Sequence, residues 1–282
     1  YVDTIPKLID TKSGKLHTIY NQTGTSTGRI SSAEPNVQNI PIKTNLGLRV
    51  RKAFITQSKQ KSVLMSADYS QIELRVLAHF TKDQNLLKSF QNGIDIHAST
   101  ASKIYKIPIE DISQEMRRIA KIMNFGVIYG LSPYGISQQT GLTPDQGKNF
   151  TETYFNEFPG ILKYIQDTKL MVKENGFTQT ILGKRRYLPE IHSKDFRIRA
   201  SAERMAINMP IQGTAAEIIK LAMINIQKKL LEQNLKSIIT IQVHDELIFE
   251  VPQNELVEMA NLATKTMSTS LRLQVPLEID IK

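Results

Sequence analysis

Three short stretches of this 282-residue chain carry side chains that could do chemistry in combination. Asp68 ends a short apolar run, Ser62-Val-Leu-Met-Ser-Ala67, and Glu73 follows it within the next helical pattern. Far downstream, His244, Asp245 and Glu246 sit between two runs of alternating apolar and polar residues. Carboxylates brought by two strands to one place suit Mg2+, which proteins bind through one or two carboxylates plus substrate phosphates. Two such ions, about 4 Å apart, can activate an attacking oxygen and stabilise a leaving one. The third stretch is a predicted helix in which Arg117, Lys121 and Phe125 recur at every fourth residue, with Tyr129 at its far end. Residues at that spacing share one slowly drifting face. Arg and Lys one turn apart can clamp neighbouring phosphates, Arg as a fork and Lys as a point charge, while the two rings offer flat surfaces to a sugar or base. Each stretch alone has a plainer reading: an N-cap aspartate, a solvated turn, a solvated cationic face. All three in one chain favour phosphate chemistry.

The elements that would position these groups are legible as periodicities. Ile239, Ile241 and Val243 alternate with Thr240 and Gln242, and Leu247, Phe249 and Val251 alternate with Ile248 and Glu250, the period of half-buried strands. The spacing predicts a hairpin over 238–251 with His244, Asp245 and Glu246 at its tip. Ser62–Ala67 reads as a buried strand ending at Asp68, and Tyr69–Phe80 as a buried helix. Tyr1–Leu48 is rich in Thr, Ser, Asn, Gly and Pro and reads as a short hairpin followed by a long ordered loop. Within it Gly28 lets the backbone approach a ligand, Arg29 is suited to phosphate or a base edge, and the amides of Asn36, Gln38 and Asn39 can pair with bases or sugars. Residues 86–199 read as helices, with loops at Gly93, Pro108, Leu131–Gly135, Gly141–Pro144, Pro159–Gly160 and Gly176. Asp95-Ile-His97 opens one of those helices, and Gly176–Pro189 reads as a hairpin bearing Lys184, Arg185 and Arg186. Phe196–Met209 carries Ala and Met at helical spacing, Ile211–Leu231 continues as a long amphipathic helix, and a helix over Glu255–Ser270 and a strand over Val275–Ile281 complete the chain.

Composition bounds the function. Hydrophobic residues make up 40% of the chain, enough for one large domain or two subdomains. There is no cysteine, which excludes disulfides, zinc–thiolate sites and thiol catalysis. No apolar run approaches the roughly 20 residues of a membrane span, and no signal peptide opens the chain. It begins at Tyr1, so a fragment of something longer is expected. A net charge of +9, from 36 basic and 27 acidic residues, makes a polyanion the default partner. The P-loop, dinucleotide-binding and H-E-x-x-H patterns are absent, and no glycine-elbow serine exists for His244 to serve.

In order and spacing, the three stretches resemble the signature motifs of family A DNA polymerases, the bacterial DNA polymerase I group. These are Asp68-Tyr-Ser-Gln-Ile-Glu73-Leu-Arg75, then Arg117, Lys121, Phe125 and Tyr129-Gly130, then His244-Asp245-Glu246. Thr27-Gly-Arg29, Asn36–Pro41 and Asn208-Met-Pro-Ile-Gln-Gly213 match as well, so the resemblance spans essentially the whole chain. It implies an α+β fold: a right-hand polymerase palm, which is an antiparallel sheet with helices, an inserted helical fingers subdomain, and no thumb. The palm would comprise residues 1–73 and 196–282, and the fingers residues 74–195. By the same resemblance Asp68 and Asp245 would hold two Mg2+ ions, for which Mn2+ could substitute, with the Tyr69 carbonyl as a further ligand and Glu246 beside them. Gln71, His97, Arg117 and Lys121 would hold the triphosphate of a dNTP, Lys121 also giving a proton to the leaving pyrophosphate. Glu73 would stand where a 2′-hydroxyl would lie, Phe125 would pack on the sugar, and Tyr129 would stack at the templating position until the fingers close. Arg29, Asn36, Gln38, Asn39, Arg204, Asn208, Gln212 and His244 would touch primer and template, where minor-groove acceptors are shared by correct pairs. Lys43 departs from the pattern, standing where many relatives would have Arg.

The implied activity is template-directed transfer of dNTPs to a primer 3′-hydroxyl by a monomer acting on primer–template DNA. A bacterial cytoplasmic setting, or an organellar or phage equivalent, would follow. The thumb and a 3′–5′ exonuclease domain would belong to the full-length parent. Two alternatives stay open: a single-subunit RNA polymerase, against which Glu73 argues, and a DNA-binding fragment inactive without its thumb.

Overall fold

The computed structural model describes residues 2–41, 44–57 and 61–282; Lys43 lies outside the described residues. In chain order the elements begin with strands β1 (Ile19–Asn21) and β2 (Ser31–Ala33), helix α1 (Asn45–Arg51), strand β3 (Ser62–Tyr69) and helix α2 (Ile72–Thr81). Helices α3 (Gln84–Gln91), α4 (Ile96–Tyr105), α5 (Gln114–Ile128), α6 (Pro133–Thr140), α7 (Pro144–Glu157) and α8 (Pro159–Asn175) follow. Then come strands β4 (Phe177–Gln179) and β5 (Arg185–Tyr187), the long helix α9 (Phe196–Glu232), strands β6 (Ile238–Val243) and β7 (Glu246–Pro252), helix α10 (Leu256–Ser268) and strand β8 (Ile279–Ile281).

The chain divides into two compact units, and each has its own core. The first comprises Tyr1–Ser70, Ala216–Leu271 and Leu277–Lys282. Its centre is an antiparallel sheet in the order β6-β7-β3-β8. Met65, Ala67 and Tyr69 of β3 and Leu247, Phe249 and Val251 of β7 are buried on one face, together with Met259, Ala263 and Met267 of α10. That alternation is the predicted one for β7. In β6 it is not, because Ile239 pairs with Phe249 and Ile241 with Ile248, leaving Thr240 as a bulge. The extra residue reverses the alternation, so Gln242 is buried rather than Ile241 or Val243. Its amide is satisfied: Nε2 donates to the His244 carbonyl at 2.7 Å, and Oε1 accepts from Gln38 Nε2 at 3.1 Å.

Glu255, also buried, closes the connection between α9 and β6. Its carboxylate accepts from the Lys236 and Ser237 amides at 2.9 Å each and from the Ser237 hydroxyl at 2.7 Å. Burial opposes its ionisation, but these hydrogen bonds and the Lys236 charge hold its pKa below the ordinary 4.5. The stabilisation from Glu255 is therefore complete above the unfolded value and is lost as pH falls through the lower folded one. Glu255→Ala, which strands the two amides, should cost about 1–3 kcal/mol at neutral pH and flatten the acid limb of stability against pH, read by urea unfolding of both proteins.

The second unit comprises Gln71–Ala215 and Arg272–Pro276. The segment 272–276 is tied to it by Arg75, whose buried guanidinium donates to the Pro276 carbonyl at 2.6 Å and lies 4.7 Å from the Phe90 ring centroid. Helix starts follow local chemistry: the side chains of Asp83, Asp95, Ser113, Ser132 and Thr143 cap α3, α4, α5, α6 and α7. Pro133, Pro144 and Pro159 each occupy a first helical turn, so the predicted loops at 131–135 and 159–160 are largely helix starts. Pro210 lies inside α9, where it removes an amide donor. In the turn before Pro210, the Tyr164 hydroxyl donates to the Ile207 carbonyl at 2.9 Å.

Other expectations are also corrected. Tyr69 is the last residue of β3, and its hydroxyl donates to the Met267 carbonyl at 2.8 Å; the helix begins only at Ile72, after Gln71 in a left-handed conformation. Glu246 belongs to β7 rather than to the turn. The last strand is confined to Ile279–Ile281, while Val275 and Leu277 are buried without being strand residues. Among the described residues no helix is long and apolar enough to cross a membrane.

Candidate active site

In the first unit, strand register builds a row of acids. Asp68 pairs with Glu246 across to β7 and with Asp280 across to β8. Asp245 occupies the turn from β6 to β7, and its carbonyl accepts from the Tyr69 amide at 3.2 Å. Like charges on adjacent strands repel. Burial, and then the charges of Asp245, Glu246 and Asp280, push the Asp68 carboxyl up to about 6 against the relief given by Lys282. The Asp245 carboxyl is raised as well, chiefly by burial, although Arg29 and His244 lower it. Glu246 is partly occupied by Arg51, at 3.4 Å.

Half-buried hard oxygens that repel one another are a donor set suited to a divalent cation. Among the described residues no group of three acidic or imidazole side chains meets the spacing of a self-sufficient metal site. A divalent cation held by two carboxylates would complete its shell with oxygens from substrate or water, which is how Mg2+ is commonly bound.

Most of the other sequence-predicted residues of this unit act on the row or line the cleft beside it. Arg29 acts electrostatically on Asp245. Gln38, Asn39 and His244 line a cleft of about 650 Å3 with Ser66, Glu246 and Lys282. Gln38 is largely committed to the fold, since its amide donates to the Ile30 carbonyl at 3.1 Å and to Gln242. Asn36 uses Oδ1 to cap the short turn at Val37–Asn39.

In the second unit, α5 presents the predicted cationic face. Lys121, Phe125 and Tyr129 line one groove of about 470 Å3. Arg117 is instead engaged by Asp95, whose Oδ2 accepts from Nε at 3.0 Å and from a terminal nitrogen at 2.7 Å. The other oxygen of Asp95 caps α4 at His97 and Ala98. His97 is buried against Phe125, with ring centroids 5.8 Å apart. Burial, reinforced by Arg117 and Lys121 and opposed by Asp95, pushes its imidazole down to about 4, so it is neutral near pH 7. The Tyr129 hydroxyl donates to the buried carboxylate of Glu73 at 3.1 Å. Gly130 ends α5 at φ 64, and a Cβ there would lie 2.6 Å from Arg204 Cγ, so both conformation and space require glycine. Arg204, Asn208 and Gln212 recur every fourth residue along α9 and share one face.

Asp280, Lys282, Arg51 and Asn124 were not singled out from the sequence, and Asp95 was read there only as part of a helix start. Asp280 and Lys282 become neighbours of Asp68 only through the pairing of β8 with β3. Asn124 carried a usable signal, a poor helix former in the middle of α5 between Lys121 and Phe125.

A sequence model of DNA polymerase family A matches residues 1–282. The chain is 45% identical over 280 residues to DNA polymerase I of Geobacillus stearothermophilus, covering 99% of this chain and 32% of that protein. It is 47% identical over 277 residues to the enzyme of the same name from Lactococcus lactis subsp. cremoris, covering 98% of this chain and 31% of that one. Among solved structures, the POL domain of Pol1 from M. smegmatis, in complex with DNA primer-template and dNTP, superposes with a TM-score of 0.95 at 44% identity. That match covers 99% of this chain and 49% of the other. The fold, mixed helices with antiparallel sheets, is thus that of a polymerase domain. The chain belongs to DNA polymerase family A, and it spans about a third of the length of the curated relatives it matches.

Proposed function

We propose that this chain is the palm and fingers of a template-directed DNA polymerase, adding dNTPs to a primer 3′-hydroxyl with release of pyrophosphate. The observation that carries this reading is the acid row around Asp68 and Asp245, raised in pKa by burial and mutual repulsion. The palm would be residues 1–73 and 196–282 and the fingers 74–195, a division that the two compact units support while differing at the edges. Asp68 and Asp245 would hold two Mg2+ ions, with the Tyr69 carbonyl and Glu246 beside them, and the bound ions would acidify the attacking hydroxyl and offset charge on the phosphates. Mn2+, equally at home among carboxylate and water oxygens, should replace Mg2+.

The remaining roles belong to this chain's side chains. The primer 3′-hydroxyl would give up its proton to solvent as its oxygen attacks the α-phosphate, the bond from the α-phosphorus to the bridging oxygen would break, and Lys121 would hand a proton to the departing pyrophosphate. Arg117 would exchange Asp95 for the triphosphate, a charge-assisted fork in either state. His97, being neutral, contributes a hydrogen bond rather than a charge. Gln71 would assist at the triphosphate. Tyr129 holds the Glu73 carboxylate by its hydroxyl, which supports a steric gate against a 2′-hydroxyl. Phe125 would pack on the sugar. Arg29, Asn36, Asn39, Arg204, Asn208, Gln212 and His244 would contact primer and template, and Gln38 would brace that surface.

The test is extension of a labelled primer–template with Mg2+, using dNTPs and rNTPs separately, for the wild type and Glu73→Ala. Extension by dNTPs only, with rNTP use rising about tenfold to a hundredfold in Glu73→Ala, is the expected result; a steric gate that excludes one hydroxyl is a discrimination of that order. Comparable extension by both nucleotides in the wild type would replace this reading with an RNA polymerase. Duplex binding without any extension would make the chain a DNA-binding fragment that needs its thumb.

A further inference from the structure

The polar cluster at the heart of α4, α5 and α7 is more ordered than a helix core requires. Asn124, Thr100 and Tyr154 are all fully buried, and His97 is nearly so. Asn124 Oδ1 lies 3.2 Å from the Tyr154 hydroxyl and 3.2 Å from Thr100 Oγ1. Asn124 Nδ2 lies 3.1 Å from His97 Nδ1 and 3.1 Å from Thr100 Oγ1. Thr100 gives its proton to the Ile96 carbonyl at 2.7 Å, so toward Asn124 its oxygen acts as an acceptor.

Only one assignment satisfies every member. Buried polar hydrogens need acceptors. The Tyr154 hydroxyl, neutral because burial raises its pKa, donates to Oδ1, and Nδ2 then donates to Thr100 and to His97 Nδ1. Thr100 Oγ1 lies within reach of both ends of the amide and fits either orientation, but the reversed amide would set Nδ2 against the Tyr154 hydroxyl and leave the Tyr154 proton without its acceptor. A ring nitrogen that accepts carries no proton, so the proton of neutral His97 sits on Nε2.

We propose that Asn124 is a positioning residue that locks His97 in the Nε2–H tautomer, so that the imidazole offers a single neutral donor to the phosphates of the incoming nucleotide. The ligand named here rests on the polymerase reading above; the tautomer does not. The charged groups around His97 are Asp95 on its own helix start and Arg117 and Lys121 on α5. Arg117 and Lys121 bring the charge, and His97 adds direction.

The decisive experiment is nitrogen-15 NMR of histidine-labelled chain, comparing wild type, Asn124→Asp and Tyr154→Phe, with dNTP affinity measured alongside by titration of a fluorescent dNTP in Mg2+. Wild-type His97 should show the Nε2–H pattern. Asn124→Asp, which turns the donor into an acceptor, should move the proton to Nδ1 or produce the imidazolium. Tyr154→Phe, which preserves shape while freeing the amide to turn, should give mixed tautomers. Loss of the directed donor should weaken dNTP binding by about tenfold, and Asn124→Asp should add no further loss in a His97→Ala background. An Nδ1–H wild type, or an unchanged spectrum in both variants, would overturn the proposal. So would an affinity loss that persists without His97. If wild type shows Nε2–H but never extends a primer, the polymerase reading fails and the tautomer lock stands.

Discussion

Asp245→Asn is expected to abolish primer extension, by about a thousandfold or more, since it removes charge aimed at the developing transition state, while raising the melting temperature of the metal-free chain. The two effects have one origin. Asp68 is paired in register with Glu246 and Asp280, and Asp245 is the largest electrostatic contributor to the rise in its pKa. Asparagine keeps the shape and removes the repulsion. The same arithmetic gives a pH dependence in EDTA. The folded pKa of Asp68, about 6, exceeds the ordinary 3.8. Folding therefore favours its protonated form, and the stability this provides is full below the ordinary value and is lost as pH rises through the folded one. Asp245→Asn should shrink that loss. Single-turnover extension and thermal denaturation in EDTA measure both halves. A variant that extends normally would remove Asp245 from catalysis, and one that melts lower would refute the like-charge account.

Phe249→Ala is expected to cost about 3–5 kcal/mol, the range for deleting a buried aromatic side chain. Phe249 is fully buried in the middle of β7, opposite Met65 of β3 and Ile239 of β6. The face it shares with Leu247 and Val251 is covered by α10, whose Met259 and Met267 are also fully buried. A loss of that size is a large part of the roughly 5–15 kcal/mol that holds a domain together. It should appear in guanidinium unfolding as a lower midpoint with the slope unchanged. Phe249→Leu should recover much of it. A loss below about 1 kcal/mol would mean that the site collapses around the gap.

The acids and the cationic helix were legible because each interrupts a strong period. Asp68 ends an apolar run, Asp245 breaks the alternation of a hairpin, and Arg117, Lys121 and Phe125 keep helical phase. What escaped the sequence depended on pairings made at long range or on weak local signals. The bulge at Thr240 reversed the buried side of β6, and nothing local marks it. Helix α1, Asn-Leu-Gly-Leu-Arg-Val-Arg, contains a glycine and a β-branched valine and reads as loop. The partners of Asp68 on β8 lie more than two hundred residues away. Asn124 looks like a solvated helix residue until Tyr154 and Thr100 are seen to enclose it.

His244 holds the turn before Asp245 with φ at 51, in a region that side-chain-bearing residues seldom occupy. Such a conformation costs on the order of 1 kcal/mol, a strain that glycine escapes. The imidazole is therefore kept at a thermodynamic disadvantage to the hairpin. A breeding scheme that rewards heat resistance alone would drift toward glycine here and discard a side chain held next to the acids. Robustness and grip are opposed at this residue, and only a screen that scores both would keep the histidine.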